Sequence, residues 1–529
     1  MKSLPKRRAP QRLPSTRLGR RRAALPLLLV GAAIGALALH GCQDKQPTSA
    51  VDPGGIAPNL ALAPAATAVP PIVNGTGQWA APFAWGGTNP GVGIHLHVLP
   101  NGKVLTFGHS GTPAVWDPAT GAFTSVPSPS LVFCSGHAWL PDGRLLIMGG
   151  HDDALGDEYG QRTSNIFDYA TQTWQPQAPM AYGRWYPTST TLPNGDILTT
   201  GGTDSARAEM PYPEIRSGST TRILTGARYD FGQADMAYYP RMFVAPNGKV
   251  FYAGEEQQSR WLDVSGSGSW TNGPLSNFGR RDYGSAVEYA PGKIMILGGG
   301  YTPTATAETI DLNAASPTWT YTGSMASARR QLNATLLADG TVMANGGTSI
   351  TGFTEEAGAV FAAERWNPAT GTWSTMASQQ VIRVYHSTAV LLPDGRVLSA
   401  GSGEGSNATA QLTAEIFSPP YLFNATGTLA QRPQITSIPT SVRYGQSFSV
   451  GYNKNANIGR VNLVRLSSVT HAFNESQLFL TLPFTVASKG SKVTMTAPAN
   501  GRLAPPGPYM LFLFDANGVP SVAKILRIG

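Results

Sequence analysis

The 529-residue chain holds only two cysteines, Cys42 and Cys134, so a disulfide framework is excluded and at most one bridge is open to it. Charge is scarce as well: 13% of residues are Asp, Glu, Lys or Arg, about half the usual quarter. That shortage excludes coiled coils and long helices laced with ion pairs. Apolar residues are not scarce, and 41% of them is ample for a core, which excludes general disorder. What is plentiful is glycine and proline, 60 and 42 residues, together roughly a fifth of the chain where about 12% is usual. A turn-rich β protein follows. Its length fits three to four average domains, or one large β architecture with a smaller one.

The formal charge of +8 would fit a nucleic-acid binder, but its location argues otherwise. Residues 1–41 carry nine Lys or Arg and no acid, followed from Ala23 to Leu39 by a 17-residue apolar run. A basic region, a short apolar core and small residues after it make an export signal. An uncleaved membrane anchor is the alternative, because the run lies at the lower limit for spanning. The run ends in Leu39-His40-Gly41-Cys42, which resembles the lipobox of bacterial lipoproteins, in which the cysteine is acylated and becomes the first mature residue. Taking those nine from the 39 basic residues leaves 30 against 31 acids, and the nucleic-acid reading fails. Residues 42–77, rich in Pro and Ala without periodicity, read as a flexible tether from a membrane. The expected location is therefore the cell envelope or surface, lipid-anchored at Cys42 or secreted.

Beyond the tether one unit recurs seven times: an apolar stretch, a tight turn, a second apolar stretch, then a glycine or glycine pair. The turns are Leu99-Pro-Asn-Gly102, Leu140-Pro-Asp-Gly143, Leu192-Pro-Asn-Gly195, Ala245-Pro-Asn-Gly248, Ala290-Pro-Gly292, Leu337-Ala-Asp-Gly340 and Leu392-Pro-Asp-Gly395. Their glycines lie 41, 52, 53, 44, 48 and 55 residues apart. Several units continue with an aromatic before a tryptophan, Phe167 with Trp174 and Trp366 with Trp373. A period near 50 with hairpin turns, glycine pairs and tryptophan marks kelch-type blades. The fold expected over residues 78–425 is a seven-bladed kelch-type β-propeller. Short alternating strands over 430–529 predict a C-terminal immunoglobulin-like β-sandwich.

Rotational repetition puts equivalent residues at equivalent places around the axis. Nine residues before each turn glycine stand Gly93, Cys134, Tyr186, Tyr239, Tyr283, Gln331 and His386, with Tyr385 beside the last. If the strand before the turn is innermost, these residues ring one mouth of the central channel. So many phenols, with an imidazole and a thiol, point to a site, although tyrosines that merely pave the channel remain open. A lone cysteine cannot build a Cys-rich zinc site, whereas an imidazole and phenolate set suits Cu(II). Cys134 has only Cys42 as a thiol partner, and that one is assigned to lipid.

Four local motifs, Phe133-Cys134-Ser135-Gly136, Arg184-Trp185-Tyr186-Pro187-Thr188, Val384-Tyr385-His386-Ser387 and Val469-Thr470-His471, resemble the signatures of the copper radical oxidases, the galactose oxidase and glyoxal oxidase family. The resemblance runs from about residue 78 to the C-terminal Ala504-Pro-Pro-Gly507-Pro-Tyr-Met-Leu511 segment. It implies a thioether between Cys134 and the Tyr186 ring, forming a protein-derived radical cofactor. It implies copper held by Tyr186, Tyr385, His386 and His471, with Tyr385 taking the substrate hydroxyl proton as base. It places a loop of the C-terminal domain in the propeller channel to deliver His471. The implied reaction oxidises a primary alcohol or an aldehyde while O2 becomes H2O2, and no nucleotide-binding fingerprint is visible.

Two departures from galactose oxidase bear on substrate. Only a tether precedes the first blade, where that enzyme has a carbohydrate-binding domain. Thr203-Asp204 follow Gly201-Gly202, where that enzyme places a tryptophan over its cross-linked tyrosine. Both point to a glyoxal oxidase-like substrate instead of galactose. Arg280, Arg281 and Tyr283 are candidates for binding substrate hydroxyls, with packing or surface roles equally open. The other propeller histidines, His95, His97, His109, His137 and His151, read as structural, His137 lying nearest the site. Expected partners are O2 and a small alcohol, aldehyde or glycan, with no nucleic acid and membrane contact only through the lipid; a monomer is expected. A non-catalytic propeller binding glycan or protein, and a mononuclear zinc or iron site, are the rival functions.

Overall fold

The computed structural model describes residues 75–529 except 157, 230–237, 354, 406–407, 455 and 488–489. The expected export signal, Cys42 and the expected tether up to residue 74 lie outside the described residues. Within them the chain is almost wholly β, with two single 3-10 turns at Glu356–Gly358 and Pro420–Leu422.

Seven four-stranded antiparallel units succeed one another, and each of the seven predicted turns joins the first two strands of one unit. Each turn glycine has a φ between 71 and 90°, a conformation that costs a side chain but not glycine. The Asn or Asp one place earlier accepts the N–H two residues on, as Asn101 does from Lys103 at 3.2 Å and Asp142 from Arg144 at 3.0 Å. Local chemistry therefore sets the turns before any long-range contact forms. The first strand of each unit lies against the first strands of its neighbours and is innermost. Inner strands such as Thr188–Thr191 are buried throughout, and outer ones such as Thr320–Tyr321 are exposed. The predicted aromatic pairs face each other across the outer two strands, Phe167 opposite Trp174 and Trp366 opposite Trp373.

The ring closes by combining the two ends of the repeat region. The last unit supplies three strands, Ser387–Leu391, Val397–Gly401 and Thr413–Ser418, and Gln78–Trp79 pairs with the third of them. The C-terminal part forms two sheets of four and five strands with their own apolar core around Phe448, Val461, Leu511 and Leu526. From this sandwich a hairpin, Ser468–Thr470 with Phe473–Asn474, pairs with the inner strand His95–Val98 of the first blade. His95 stands opposite Thr470, and His97 opposite Ser468.

A buried ion pair recurs inside the blades. Arg184 reaches Glu214 at 2.8 Å, Arg281 reaches Glu308 at 2.7 Å, Arg329 reaches Glu364 at 2.6 Å and Arg383 reaches Glu415 at 3.4 Å. In each case the arginine precedes the inner strand and the glutamate lies on the third strand of the same blade. The same arginines donate to the carbonyls of Gly201, Gly298, Gly346 and Gly401. The glutamates in turn accept backbone N–H groups of the incoming loop, for example those of Ala326 and Ser327 on Glu364. The glycine pairs mark the junction with the next blade: Gly150, Gly299 and Gly347 donate N–H to the carbonyls of Arg184, Arg329 and Arg383. A Cβ at the preceding Gly149, Gly298 or Gly346 would sit 2.3–2.6 Å from that same oxygen, so no side chain fits there.

Removing one member of such a pair leaves a buried charge uncompensated. Glu364→Ala is expected to lower stability by about 3–5 kcal/mol. Asp311→Ala, which breaks the half-exposed pair with Lys293 at 3.2 Å, is expected to change it by less than about 1 kcal/mol. Urea unfolding midpoints of the two variants measure the contrast.

Candidate metal and redox centre at the channel mouth

The nine-residue offset holds in three dimensions and carries a backbone signature. Cys134, Tyr186, Tyr239, Tyr283, Gln331 and His386 all adopt left-handed conformations, with φ between 49 and 67°. Such conformations are uncommon for residues with a Cβ and persist only where surrounding bonds over-determine them. Here part of the ring is linked through its own backbone. The N–H of Tyr186 donates to the carbonyl of Cys134 at 3.0 Å, that of Tyr239 to Tyr186 at 2.9 Å, and that of Gln331 to Tyr283 at 2.8 Å. At two of these positions the reversal lays the side chain beside its predecessor's: Tyr385 stacks on His386 at 3.7 Å, and Trp185 on Tyr186 at 3.8 Å with their planes 10° apart.

Cys134, Tyr186 and Tyr385 belong to one buried cluster with Phe133, Trp185 and Tyr239. The hydroxyls of Tyr186 and Tyr385, from blades on different sides of the axis, lie 2.5 Å apart. His471, carried in on the sandwich hairpin, places its ring 4.6 Å from both Tyr186 and His386 and at right angles to the latter. Its φ of 43° continues the left-handed pattern of the ring. The hairpin is held by Ser285, whose hydroxyl donates to the Ala472 carbonyl at 2.6 Å, and by Gln477, which accepts the Leu336 N–H at 2.9 Å.

The imidazoles are prepared as ligands. His386 donates Nδ1–H to the Gly403 carbonyl at 2.7 Å, and His471 Nδ1 bonds the Thr470 hydroxyl at 2.6 Å. Both Nε2 atoms are buried and have no hydrogen-bond partner. Burial, the larger cause, holds His386 neutral down to about pH 3 and lowers His471 well below the ordinary range, with the neighbouring imidazole of His386 adding to the effect. Two neutral imidazoles with unused lone pairs beside two phenols form an N,O donor set that fits Cu(II). A bonded Nδ1 orients the metal-facing Nε2.

The family model described as "Galactose oxidase-like, Early set domain" matches residues 432–528. A galactose oxidase of Gibberella zeae is 28% identical over 508 residues, covering 89% of this chain and 69% of the relative. An aldehyde oxidase, GLOX, of Vitis pseudoreticulata is 29% identical over 436 residues, covering 75% of this chain and 82% of the relative. A fungal alcohol oxidase of the AA5 family, solved in complex with copper, superposes with a TM-score of 0.78 at 25% identity, over 86% of this chain and 99% of that one. The chain is similar over most of its length to galactose oxidases and aldehyde oxidases.

Three features of the structure were not legible in the sequence. The first is Trp185. The loop position at Thr203 carries no aromatic, yet the Tyr186 ring is covered from its own neighbour in sequence. The second is Arg281, whose guanidinium is buried and engaged by Glu308, Gly298 and Thr306 as a blade clamp. Arg280 stays largely exposed, 3.5 Å from Glu256. Tyr283 lies near the centre, its ring 6.0 Å from that of Tyr385 and 5.2 Å from Phe353.

The third is the fate of the other histidines, which the fold gathers into two groups, His95 with His97 and His137, and His109 with His151 and Asp153. In the first group the Cys134 N–H donates to His95 Nε2 at 3.1 Å, which puts the His95 proton on Nδ1. That Nδ1–H donates to His137 Nε2 at 2.8 Å, and His137 Nδ1 then faces Glu475 at 3.8 Å. Glu475 also accepts the N–H groups of His137 and Ser189, tying the hairpin to the second and third blades. A polar line thus runs from the cysteine peptide down the axis.

Burial pushes His95, His97 and His137 toward their neutral forms, His137 down to about 3. The unfolded chain takes up protons on these residues near pH 6.5 and the native chain does not, so stability is full above pH 6.5. It is expected to fall as pH drops from 6.5 toward 3, by up to roughly 1.4 kcal/mol per pH unit for each such histidine. Urea midpoints at pH 7, 5.5 and 4.5 measure the slope, and His137→Gln is expected to make it shallower.

Proposed function

We propose that the chain is a copper radical oxidase of the cell envelope, exported, lipid-anchored at Cys42, and acting on small aldehydes or primary alcohols with O2 as the oxidant. The observation that carries this reading is the packing of His386 and His471, each with a buried Nε2 that has no hydrogen-bond partner, against Tyr385 and Tyr186, whose hydroxyls lie 2.5 Å apart. Tyr186, Tyr385, His386 and His471 would hold the metal. Bound there, copper supplies one of the two oxidising equivalents and polarises the substrate oxygen.

The chain's own residues supply the remainder. The Tyr385 hydroxyl is the group within reach of the centre that can take the proton of the substrate hydroxyl. Tyr186, joined to Cys134 by a thioether whose two departing protons and two electrons pass to O2, would carry the second oxidising equivalent. Trp185 covers one face of that ring, and burial of both side chains keeps water from it. Two electrons and two protons leave the substrate, and O2 takes them up as H2O2. Tyr283 and Phe353, packed around Tyr385, are the side chains best placed to meet the organic part of the substrate. Similarity to the Vitis aldehyde oxidase and the absence of an aromatic at Thr203 favour an aldehyde hydrate over galactose.

Peptide mass analysis after copper loading tests the reading. A Cys134–Tyr186 linked species lighter by two hydrogens is expected, and a Cys134 that remains separately alkylatable in copper-loaded protein would sink it. Peroxide release with aldehydes is expected in the parent protein and is expected to fall to background in His471→Ala. Trp185→Ala is expected to keep the cross-link yet shorten the lifetime of the oxidised form, followed as the decay of its optical absorbance.

A further inference from the structure

The second histidine group faces solvent. His109 follows Gly108 in the first blade and His151 follows Gly150 in the second, the place where the later blades carry Thr203, Glu255, Gly300, Thr348 and Ser402. Adjacent blades therefore bring these two imidazoles together, with ring centroids 5.3 Å apart. Both Nε2 atoms converge on one carboxylate oxygen of Asp153, at 3.0 Å from His109 and 3.3 Å from His151. The three ligand atoms all lie within 4.8 Å of one another. His151 is nearly buried, His109 is one-fifth exposed and Asp153 is 62% exposed, so the group has a fixed wall and an open side.

We propose that His109, His151 and Asp153 form a second, solvent-accessible site for a divalent transition-metal ion, with Cu(II) as its preferred occupant. Two imidazoles and a carboxylate on one face, with the remaining positions left to water, are a recurring set for such ions, and Cu(II) heads the affinity order for N,O ligands. An ion of charge +2 replaces a contact in which two imidazoles share one carboxylate oxygen. Rigidity comes from the blades: the His151 N–H is bonded to the Phe133 carbonyl at 2.8 Å, and the N–H of Ser110 to Glu404 at 3.0 Å.

The site lies one aromatic ring from the central donor set. Phe133 stands 4.8 Å from His109 and 5.8 Å from His151 on one side, and 5.7 Å from His386 and 6.4 Å from His471 on the other. The inference does not depend on the copper reading of the central site, because its ligands are separate residues.

Equilibrium dialysis of the full chain against Cu(II) at pH 7, with copper counted by elemental analysis, tests it. The parent protein is expected to hold two equivalents. The central-site variant His386→Ala/His471→Ala is expected to retain one, with an electron paramagnetic resonance signal split by two nitrogens. Adding His109→Gln and Asp153→Asn to that variant is expected to remove the remaining equivalent, and Asp153→Asn alone to weaken it at least tenfold. A parent protein that holds a single equivalent, lost in full with His386 and His471, overturns the proposal while leaving the central site standing. So does a second equivalent that survives the His109 and Asp153 changes. Circular dichroism of each variant ensures that folded proteins are compared.

Discussion

The arginine–glutamate clamp is the constraint on which the rest of the molecule leans. In four blades it joins the loop entering the channel to the third strand of the same sheet, and in three of them the arginine carbonyl joins that loop to the blade before it. A buried guanidinium has five donors to satisfy, and here the carboxylate and the glycine carbonyl take several of them, while the carboxylate collects backbone N–H groups. The residue two or three places further on is left in a left-handed conformation that a free loop would abandon. Those residues are Tyr186, Tyr283, Gln331 and His386. The fourth blade varies the device, with Arg241 bonding Glu255 at 3.4 Å and the carbonyl of Gly284 in the next blade. A chain poor in charge thus places a large share of it inside.

How much could be foreseen differs from residue to residue. The seven turns were legible because each is a local event, a glycine acting over a few residues with, in six of the seven, an Asx side chain before it. The membership of the channel ring was legible because rotational repetition turns a constant offset in sequence into a constant place in space. The partnership of His471 with His386 had no such support, since 85 residues and a domain boundary separate them; it came from the resemblance of Val469-Thr470-His471 to a family motif. Glycine pairs were read as blade markers, but their cause, the close approach of the next blade's arginine carbonyl, belongs to tertiary geometry. The same holds for the gathering of His95, His97 and His137, and for the stacking of Trp185, which depends on the backbone reversal at Tyr186. Arg281 and Tyr283 sit two residues apart and looked alike as candidates; one faces the clamp and the other the centre.

The interior beneath the central donor set is polar yet close to uncharged. His95, His97 and His137 are kept neutral by burial, and Glu475 is pushed well above the carboxylate range for the same reason. Hydrogen bonds orient these groups without net charge. The phenols and the two Nε2 atoms above them are groups on which added positive charge can settle.

The delivery of His471 by that hairpin has a consequence for the order of events in the life of the molecule. A chain emerging during synthesis presents Cys134, Tyr186, Tyr385 and His386 long before residue 471 appears, and the propeller cannot enclose the axis until Gln78–Trp79 has found Thr413–Ser418. The donor set is completed only when the C-terminal domain has folded and docked. A chain cut short before this domain therefore lacks one of the two imidazoles of the donor set.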